Sequence, residues 1–128
     1  MPRFSIVTPV YNPPVRALKA CIKSVRKQNF ADWEWCIVND CSTQPHVRKI
    51  LNRLAVKDSR VRVAHRATNG GIVAASQDGL DMATGEFVAL LDHDDVIAQR
   101  ALKRIDEELK SDDTIDYVYT DEDKIDSK

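Results

Sequence analysis

The feature that most constrains the fold of this chain is a regular alternation of short β-rich segments with longer segments of helical period. Runs rich in β-branched, aromatic and aliphatic residues predict strands over residues 4–10, 33–39, 61–65, 87–91 and 115–120. Apolar residues spaced three or four apart predict a helix after each of the first four strands. This order predicts an α/β domain with a doubly wound, mostly parallel sheet and helices on both faces.

Two local expectations follow from the same pattern. The apolar run over residues 87–91 predicts a central strand that is covered on both faces. Ser42 or Thr43 is expected to cap the second helix, and the fourth helix is predicted over residues 98–109.

The composition fits one globular domain over residues 1–128. Hydrophobic residues make up 43% of the chain and charged residues 30%, which is typical of a sequence that buries a core. Nineteen basic residues nearly balance 20 acidic ones, and the resulting net charge of −1 argues against a dedicated nucleic-acid-binding protein. We therefore expect no nucleic-acid partner.

The cysteines and the apolar segments bear on the cellular compartment. Cys21, Cys36 and Cys41 show no pattern typical of a disulfide framework or a zinc site, and we interpret them as reduced thiols. No apolar run approaches the roughly 20 residues that cross a bilayer, and the first residues lack the features of a signal peptide. These observations predict a cytoplasmic protein. Peripheral association of a longer parent with the inner face of the membrane stays open.

Polar residues follow every predicted strand. In doubly wound sheets, ligands bind in the crevice outside the carboxyl ends of the strands. The segments at that edge are residues 8–12, 39–42, 69–71, 92–95 and 121–123. We interpret the last of them as a solvated strand end, and the other four as the candidate site.

The clearest chemical signal is the acidic segment that follows the most apolar strand. Asp92, Asp94 and Asp95 lie within four residues, and carboxylates this close repel one another unless they are solvated or bind a cation. Mg²⁺ and Mn²⁺ prefer oxygen ligands, and Asp92 and Asp94 would point to the same side of an extended chain. The alternative is that Asp94 or Asp95 caps the next helix. His93 is interpreted as a spacer rather than a ligand.

Three other segments admit both ligand-binding and structural interpretations. Asp40 could accept the imide N–H of a uracil or guanine, or it could stabilise a turn or a helix end. Thr8 and Tyr11 could contact a base and ribose, or Tyr11 could simply pack. Residues 69–71 could approach an anion at a helix N-terminus, although glycines at a helix start need no ligand. Their pattern matches neither GxGxxG nor the P-loop, which argues against nicotinamide-dinucleotide and P-loop proteins.

Taken in order, these segments resemble family 2 of the nucleotide-sugar glycosyltransferases. The resemblance lies in FSIVTPVYN at residues 4–12, CIVNDCS at 36–42, NGGI at 69–72, GEFVALLDHDD at 85–95 and YTDEDKID at 119–126. It covers essentially the whole chain and looks closest to bacterial members that build cell-surface polysaccharides, rhamnosyltransferase-like proteins among them. Five motifs in the expected order are far more specific than any single acidic run.

The resemblance implies a GT-A fold, sugar transfer with inversion and a donor site that depends on Mn²⁺ or Mg²⁺. It implies that Asp94 ligates the metal, that Asp92 contacts the ribose or the metal, and that Asp95 is a further contact. Combined with the glycine loop, it gives a donor-nucleotide site of Thr8, Pro9, Tyr11, Asp40, Asn69, Gly70 and Asp92. One departure is that residues 75–79 lack the Arg-Asn pair of many relatives, so no arginine of this helix is expected at the diphosphate.

The resemblance also implies that the general base and the acceptor pocket come from a segment beyond residue 128. Asp121 and Glu122 are the local alternatives for the base, neither is favoured, and the catalytic residue stays unassigned. The chain is therefore expected to be the donor-binding half of a larger transferase and inactive alone. The expected partners are a UDP-, dTDP- or GDP-linked sugar donor and a saccharide or lipid-linked acceptor. A homodimer through the surface normally covered by the missing half is a further hypothesis.

Other classes of protein share parts of this pattern. A nucleotidyltransferase would need a glycine-rich, basic loop after the first strand, where this chain has PVYNPP. A phosphoacceptor signalling domain would place an acidic pair after the first strand and a lone aspartate after the third strand, and this chain has neither arrangement. A non-catalytic nucleotide-binding module, or a nucleotidyltransferase, stays open as the alternative to a glycosyltransferase.

Overall fold

The computed structural model describes residues 1–111, in which parallel strands alternate with helices along the chain. The strands are β1 (Phe4–Val10), β2 (Trp33–Asn39), β3 (Val61–His65) and β4 (Phe87–Leu90). The helices are α1 (Val15–Arg26), α2 (Pro45–Lys57), α3 (Gly71–Met82) and α4 (Ala101–Ser111). The order across the sheet is β3-β2-β1-β4, and every neighbouring pair is parallel. The expected doubly wound α/β class is confirmed.

The alternation of side chains along the strands produces two unequal layers. One face of the sheet, with Ile6 and Trp35 at its centre, packs against buried apolar residues of α1, α2 and α4. The opposite face, with Val7 and Val38, packs against α3, where Gly79 lies so close that a Cβ atom would collide with Val7. Glycine is therefore required at this point for the helix to approach the sheet.

The first three strands have the predicted bounds, whereas the last part of the described chain differs. β4 ends at Leu90, and α4 begins at Ala101 rather than at residue 98. The intervening loop is hydrogen-bonded to α1 and to the residues directly after it. Ser24 Oγ accepts the N–H of Ile97 (3.1 Å), and Gln28 Nε2 donates to the carbonyl of Ala98 (2.6 Å). These bonds favour an irregular path over an earlier helical start. The strand predicted over residues 115–120 and the acidic cluster at 121–123 lie outside the described residues.

The expectation that β4 is covered on both faces is wrong for the described part of the chain. β4 forms one edge of the sheet, and Val88 and Leu90 are 46% and 65% exposed. The reason is that α3 packs against β1 and β2, so it leaves this face of β4 uncovered.

A buried carboxylate, Glu34, ties the start of β4 to the middle of the sheet. It accepts hydrogen bonds from Ser5 Oγ (2.5 Å), from the backbone N–H of Thr84 (2.6 Å) and from Arg62 (2.8 Å). Burial acts to raise the pKa of Glu34, but these hydrogen bonds outweigh it and lower the pKa to about 2. The ionised carboxylate thus fixes the loop that leads into β4 and, through it, the acidic segment beyond.

Two further expectations can be compared with the structure. All three cysteines are free thiols, as their spacing suggested. Within residues 1–111, no helix combines the length and apolar character that crossing a bilayer requires.

Candidate functional site

A cleft of about 470 Å³ opens at the carboxyl edge of the sheet. β1 has β2 on one side and β4 on the other, so the strand order reverses at this point, as at the ligand-binding switch point of doubly wound folds. The cleft is lined by Pro9, Val10, Tyr11, Asp40, Asn69, Gly71, Ile72, Ala75, Asp92, His93 and Asp94. Both predicted metal ligands and five of the seven predicted nucleotide-site residues are therefore brought together.

The acidic segment after β4 forms one compact group of carboxylates. Ligand atoms of Asp92, Asp94 and Asp95 all lie within 4.8 Å of one another, and Asp92 and Asp94 are exposed. A turn brings them together, with the N–H of Asp95 donating to the carbonyl of Asp92 (3.2 Å), rather than the extended alternation that we expected. α4 begins only at Ala101, six residues after Asp95, so neither Asp94 nor Asp95 holds the N-cap position that the capping alternative gave them.

The chemistry of this group fits a hard divalent cation, because every potential ligand is a carboxylate oxygen. The pKa of Cys21, in the neighbouring core, is raised to about 12. Burial of the thiol is the main cause, and the negative charges of the three aspartates raise the pKa further. His93 is not a member of the group. Its ring lines the cleft, and its Nδ1 is buried without a hydrogen-bond partner among the described residues.

Asp40 caps the N-terminus of α3 across a gap of 30 residues in sequence. Its carboxylate is 3% exposed and accepts the backbone N–H of Gly70 (2.9 Å) on one oxygen and that of Gly71 (2.8 Å) on the other. Gly71 has a φ of +89°, which favours glycine and lets both N–H groups point at the same carboxylate. Oδ2, which accepts only the N–H of Gly71, can accept a second hydrogen bond, so the structural role leaves room for a ligand donor.

Arg66 is a residue of this site that sequence reasoning missed. Its Nε lies 3.1 Å from Oδ1 of Asp40, and its guanidinium also pairs with Asp78 on α3. A Cβ atom at Gly70 would lie 2.6 Å from Nη2 of Arg66, so the guanidinium packs directly beneath the glycine loop. The available signal was the position of Arg66 directly after β3, at the edge where the other site residues lie.

Asn12 is the second residue that was missed, and its contacts stand where Ser42 or Thr43 was expected to cap α2; the N-cap is Gln44, which makes no side-chain capping bond. Its Oδ1 accepts the backbone N–H groups of Thr43 (2.9 Å) and Gln44 (3.0 Å), the two residues before the helix. Asn12 adopts a φ of 47°, which asparagine tolerates better than most residues. Ser42 instead accepts the N–H of Asn12 (3.0 Å), so the loops after β1 and β2 form one unit beside Tyr11.

Two predicted nucleotide-site residues do not line the cleft. The side chain of Thr8 is buried within the sheet, where its hydroxyl accepts the indole N–H of Trp35 (2.9 Å). Alternation along β1 turns Thr8 toward that face, so its side chain faces away from the cleft in which the nucleoside was expected. The N–H of Gly70 is used by Asp40, and Gly71 lines the cleft in its place. Tyr11 is 46% exposed at the cleft and is not a core packing residue.

Comparisons with known proteins agree with this architecture. The family model described as glycosyl transferase family 2 matches residues 5–126. Uncharacterized protein y4gI of Sinorhizobium fredii is 44% identical over 124 residues, and O-antigen biosynthesis protein RfbC of Myxococcus xanthus is 35% identical over 127 residues. These matches cover 97% and 99% of this chain, but the chain spans only 14% and 10% of the two relatives.

Solved structures show the same fold. S. aureus TarS 1-349 in complex with UDP-GlcNAc has a TM-score of 0.77 and 30% identity, covering 85% of this chain and 31% of that one. A mannosyltransferase from Pyrobaculum calidifontis, solved with GDP-Man and Mn²⁺, has a TM-score of 0.76 over 89% of this chain and 34% of its own; at 23% identity it supports the fold alone. From its sequence and its fold, the chain belongs to glycosyltransferase family 2.

Proposed function

We propose that this chain is the donor-binding part of an inverting glycosyltransferase that moves a sugar from a nucleoside diphosphate to an acceptor hydroxyl in cell-surface polysaccharide synthesis. The observation that carries the proposal is one cleft, at the switch point of the sheet, that holds the acidic group after β4 together with Asp40. A nucleotide sugar needs both features. Its base carries hydrogen-bond donors that Asp40 could accept, and its diphosphate carries negative charge that a cation held by the acidic group would offset.

The nucleoside would occupy the end of the cleft near Asp40. Tyr11 and Ile72 are 46% and 63% exposed and offer apolar surface to a base. Asp40 accepts hydrogen bonds and donates none when it is ionised, so it suits the imide N–H of uracil, thymine or guanine. The corresponding ring nitrogen of cytosine or adenine carries no hydrogen and would face the carboxylate with a lone pair, so a carboxylate aimed at that position supports UDP, dTDP or GDP donors.

Asp94 and Asp92 would hold Mn²⁺ or Mg²⁺ beside the diphosphate, and the all-carboxylate donor set fits either ion. Such an ion acts as a Lewis acid toward the charge that develops on a departing phosphate. The protein's own contribution is to fix the carboxylates, because the loop that follows them is hydrogen-bonded to Ser24 of α1 and to Gln28, two residues after that helix.

The remaining parts of the proposal concern the longer protein. Inversion needs a general base within about 3 Å of the acceptor hydroxyl, and none of the described residues takes that role in our proposal. The base and the acceptor site would then lie elsewhere in a longer transferase. The assignment of residues 1–128 to one donor-binding domain, the cytoplasmic location and the homodimer stay predictions from the sequence.

Calorimetric titration of UDP, dTDP and GDP into the 128-residue chain tests this function, with CDP and ADP as base-mismatched controls. Each titration is made with Mn²⁺ and repeated after chelation. We expect at least one of the first three nucleotides to bind only with metal, and the two controls to bind more weakly. Equal binding of all five nucleotides would contradict the role of Asp40, and binding that chelation leaves unchanged would contradict the metal site.

A further inference from the structure

We propose that α1 and α2 form a docking surface for an anionic phospholipid bilayer. The surface, called the basic face below, is the groove between the two helices and its charged rim: Lys19, Lys23, Arg26, Lys27, Arg53 and Lys57. It lies outside the donor cleft and shares no residue with it. The inference therefore stands or fails independently of the proposed function.

The charged residues of the two helices that form this surface are all basic. α1 and α2 together contain eight lysines and arginines, and neither helix contains an aspartate or glutamate. Asp58, directly after α2, pairs with Arg26. Lys19, Lys23 and Lys57 are exposed and form no ion pair with other residues of the described chain. Most of the positive charge is therefore available to a partner.

The shape of the groove favours lipid headgroups. It has a volume of about 430 Å³, with the apolar side chains of Ile22, Ile50 and Leu54 among its lining and the cationic groups around them. Val56, on α2, is 87% exposed. Apolar side chains next to lysine and arginine are typical of helices that lie on anionic membrane surfaces.

The composition of the two helices favours lipid over nucleic acid. Neither helix contains a phenylalanine, tyrosine or tryptophan that could stack on a base. The whole chain carries a net charge of −1, so general attraction to a polyanion is not expected. If the chain binds an anionic surface, the attraction would instead come from the local excess of positive charge on the basic face.

The position of the basic face is compatible with catalysis at a membrane surface. In parallel α/β units each helix runs antiparallel to its strand, so the C-terminal turns of α1 and α2 lie at the edge of the sheet opposite the donor cleft. Lys23, Arg26, Lys27 and Lys57 stand in or beside these turns. A bilayer on the basic face would leave the cleft open.

Co-sedimentation with vesicles tests the inference. The 128-residue chain is mixed with vesicles of phosphatidylcholine alone or of phosphatidylcholine with about 30% of the anionic lipid phosphatidylglycerol, which gives the vesicle a negative surface potential. We expect sedimentation with the anionic vesicles alone, and its loss at high salt. The variant Lys19→Glu/Arg53→Glu should bind roughly 30-fold more weakly or worse. Each new glutamate gains a lysine four residues later, which supports the helix, and circular dichroism verifies folding.

The matched control is Arg100→Glu/Lys103→Glu, which reverses two exposed charges outside the groove. It should bind anionic vesicles as the unmodified chain does. The inference is overturned if the folded chain ignores anionic vesicles, if neutral vesicles bind it equally, or if the two double variants lose affinity to the same extent. Stronger salt-sensitive binding to a DNA duplex than to the vesicles would reassign the basic face to nucleic acid.

Discussion

The guanidinium of Arg66, at the end of β3, lies 3.1 Å from the carboxylate of Asp40, at the end of β2, and reaches Asp78 on α3 with its other end. Asp40 in turn caps α3 through Gly70 and Gly71. Two strands and one helix are thus joined by a single network at the floor of the cleft. The orientation of the Asp40 carboxylate depends on all of these contacts.

Removing the guanidinium should weaken both the fold and the site. We expect Arg66→Ala to lower the free energy of unfolding by about 2 kcal/mol, because it leaves a buried carboxylate without its cationic partner. Arg66→Lys should recover part of the loss, since an ammonium cannot reach both aspartates in the same way. Urea denaturation measures the difference. Arg100→Ala, at an exposed position, is the control; equal losses in the two alanine variants would contradict the role of Arg66.

Gly71 is required for its backbone conformation rather than for space. Nothing lies within 4 Å of a Cβ atom added there, but the φ of +89° strains any L-residue. Gly71→Ala should therefore cost about 1–2 kcal/mol of stability. Gly71→Asn should cost less, because asparagine tolerates positive φ. A Gly71→Ala variant as stable as the original chain in thermal denaturation would show that this backbone conformation is not needed.

Asn12 should contribute to stability by holding the turn that leads into α2. Asn12→Ala leaves the N–H groups of Thr43 and Gln44 without their acceptor and should cost about 1–2 kcal/mol. Asn12→Asp keeps the acceptor oxygens and places a negative charge near the N-terminus of α2, so its loss should be smaller. Chemical denaturation of the three proteins measures this order. The reverse order would mean that the amide nitrogen of Asn12, which donates to Thr43 Oγ1, contributes more to stability than its acceptor oxygen.

Glu34 should make stability depend on pH. Its folded-state pKa of about 2 lies below the ordinary value of 4.5, so its contribution is complete above pH 4.5 and is lost as the pH falls from 4.5 to 2. The shift corresponds to about 3 kcal/mol. Glu34→Gln should therefore be less stable than the original chain at pH 7, and the gap should shrink below pH 4.5. A gap that stays constant down to pH 2.5 in denaturation experiments would contradict the ionised state.

The sequence was sufficient for the first three strands and for the edge of the sheet at which the site lies. The bounds of β1, β2 and β3 follow from β-branched runs that end at polar or turn residues. The aspartates after β4 were identified because the strand that precedes them places them at the carboxyl edge. These features depend on local patterns and on general properties of parallel sheets, so sequence alone is informative about them.

Contacts between distant residues could not be predicted in the same way. Neither Ser42 nor Thr43 caps α2, and the turn before the helix is held instead by Asn12, because two loops meet in space. Arg66 joins the site through a side chain whose direction depends on the packed glycine loop. The alternation of side chains along β1 predicts which face of the sheet carries Thr8. It does not predict the hydrogen bond between Thr8 and Trp35.

The measurement that tests the central claim most directly is the affinity for UDP in the presence of Mn²⁺, compared between the original chain, Asp94→Asn and Glu107→Gln. Asp94 belongs to the carboxylate group at the cleft, whereas Glu107 is an exposed acid on α4. Our account predicts that Asp94→Asn lowers the affinity roughly tenfold or more and abolishes its dependence on the metal, while Glu107→Gln leaves both unchanged. Metal-dependent binding of equal strength in all three proteins would contradict it.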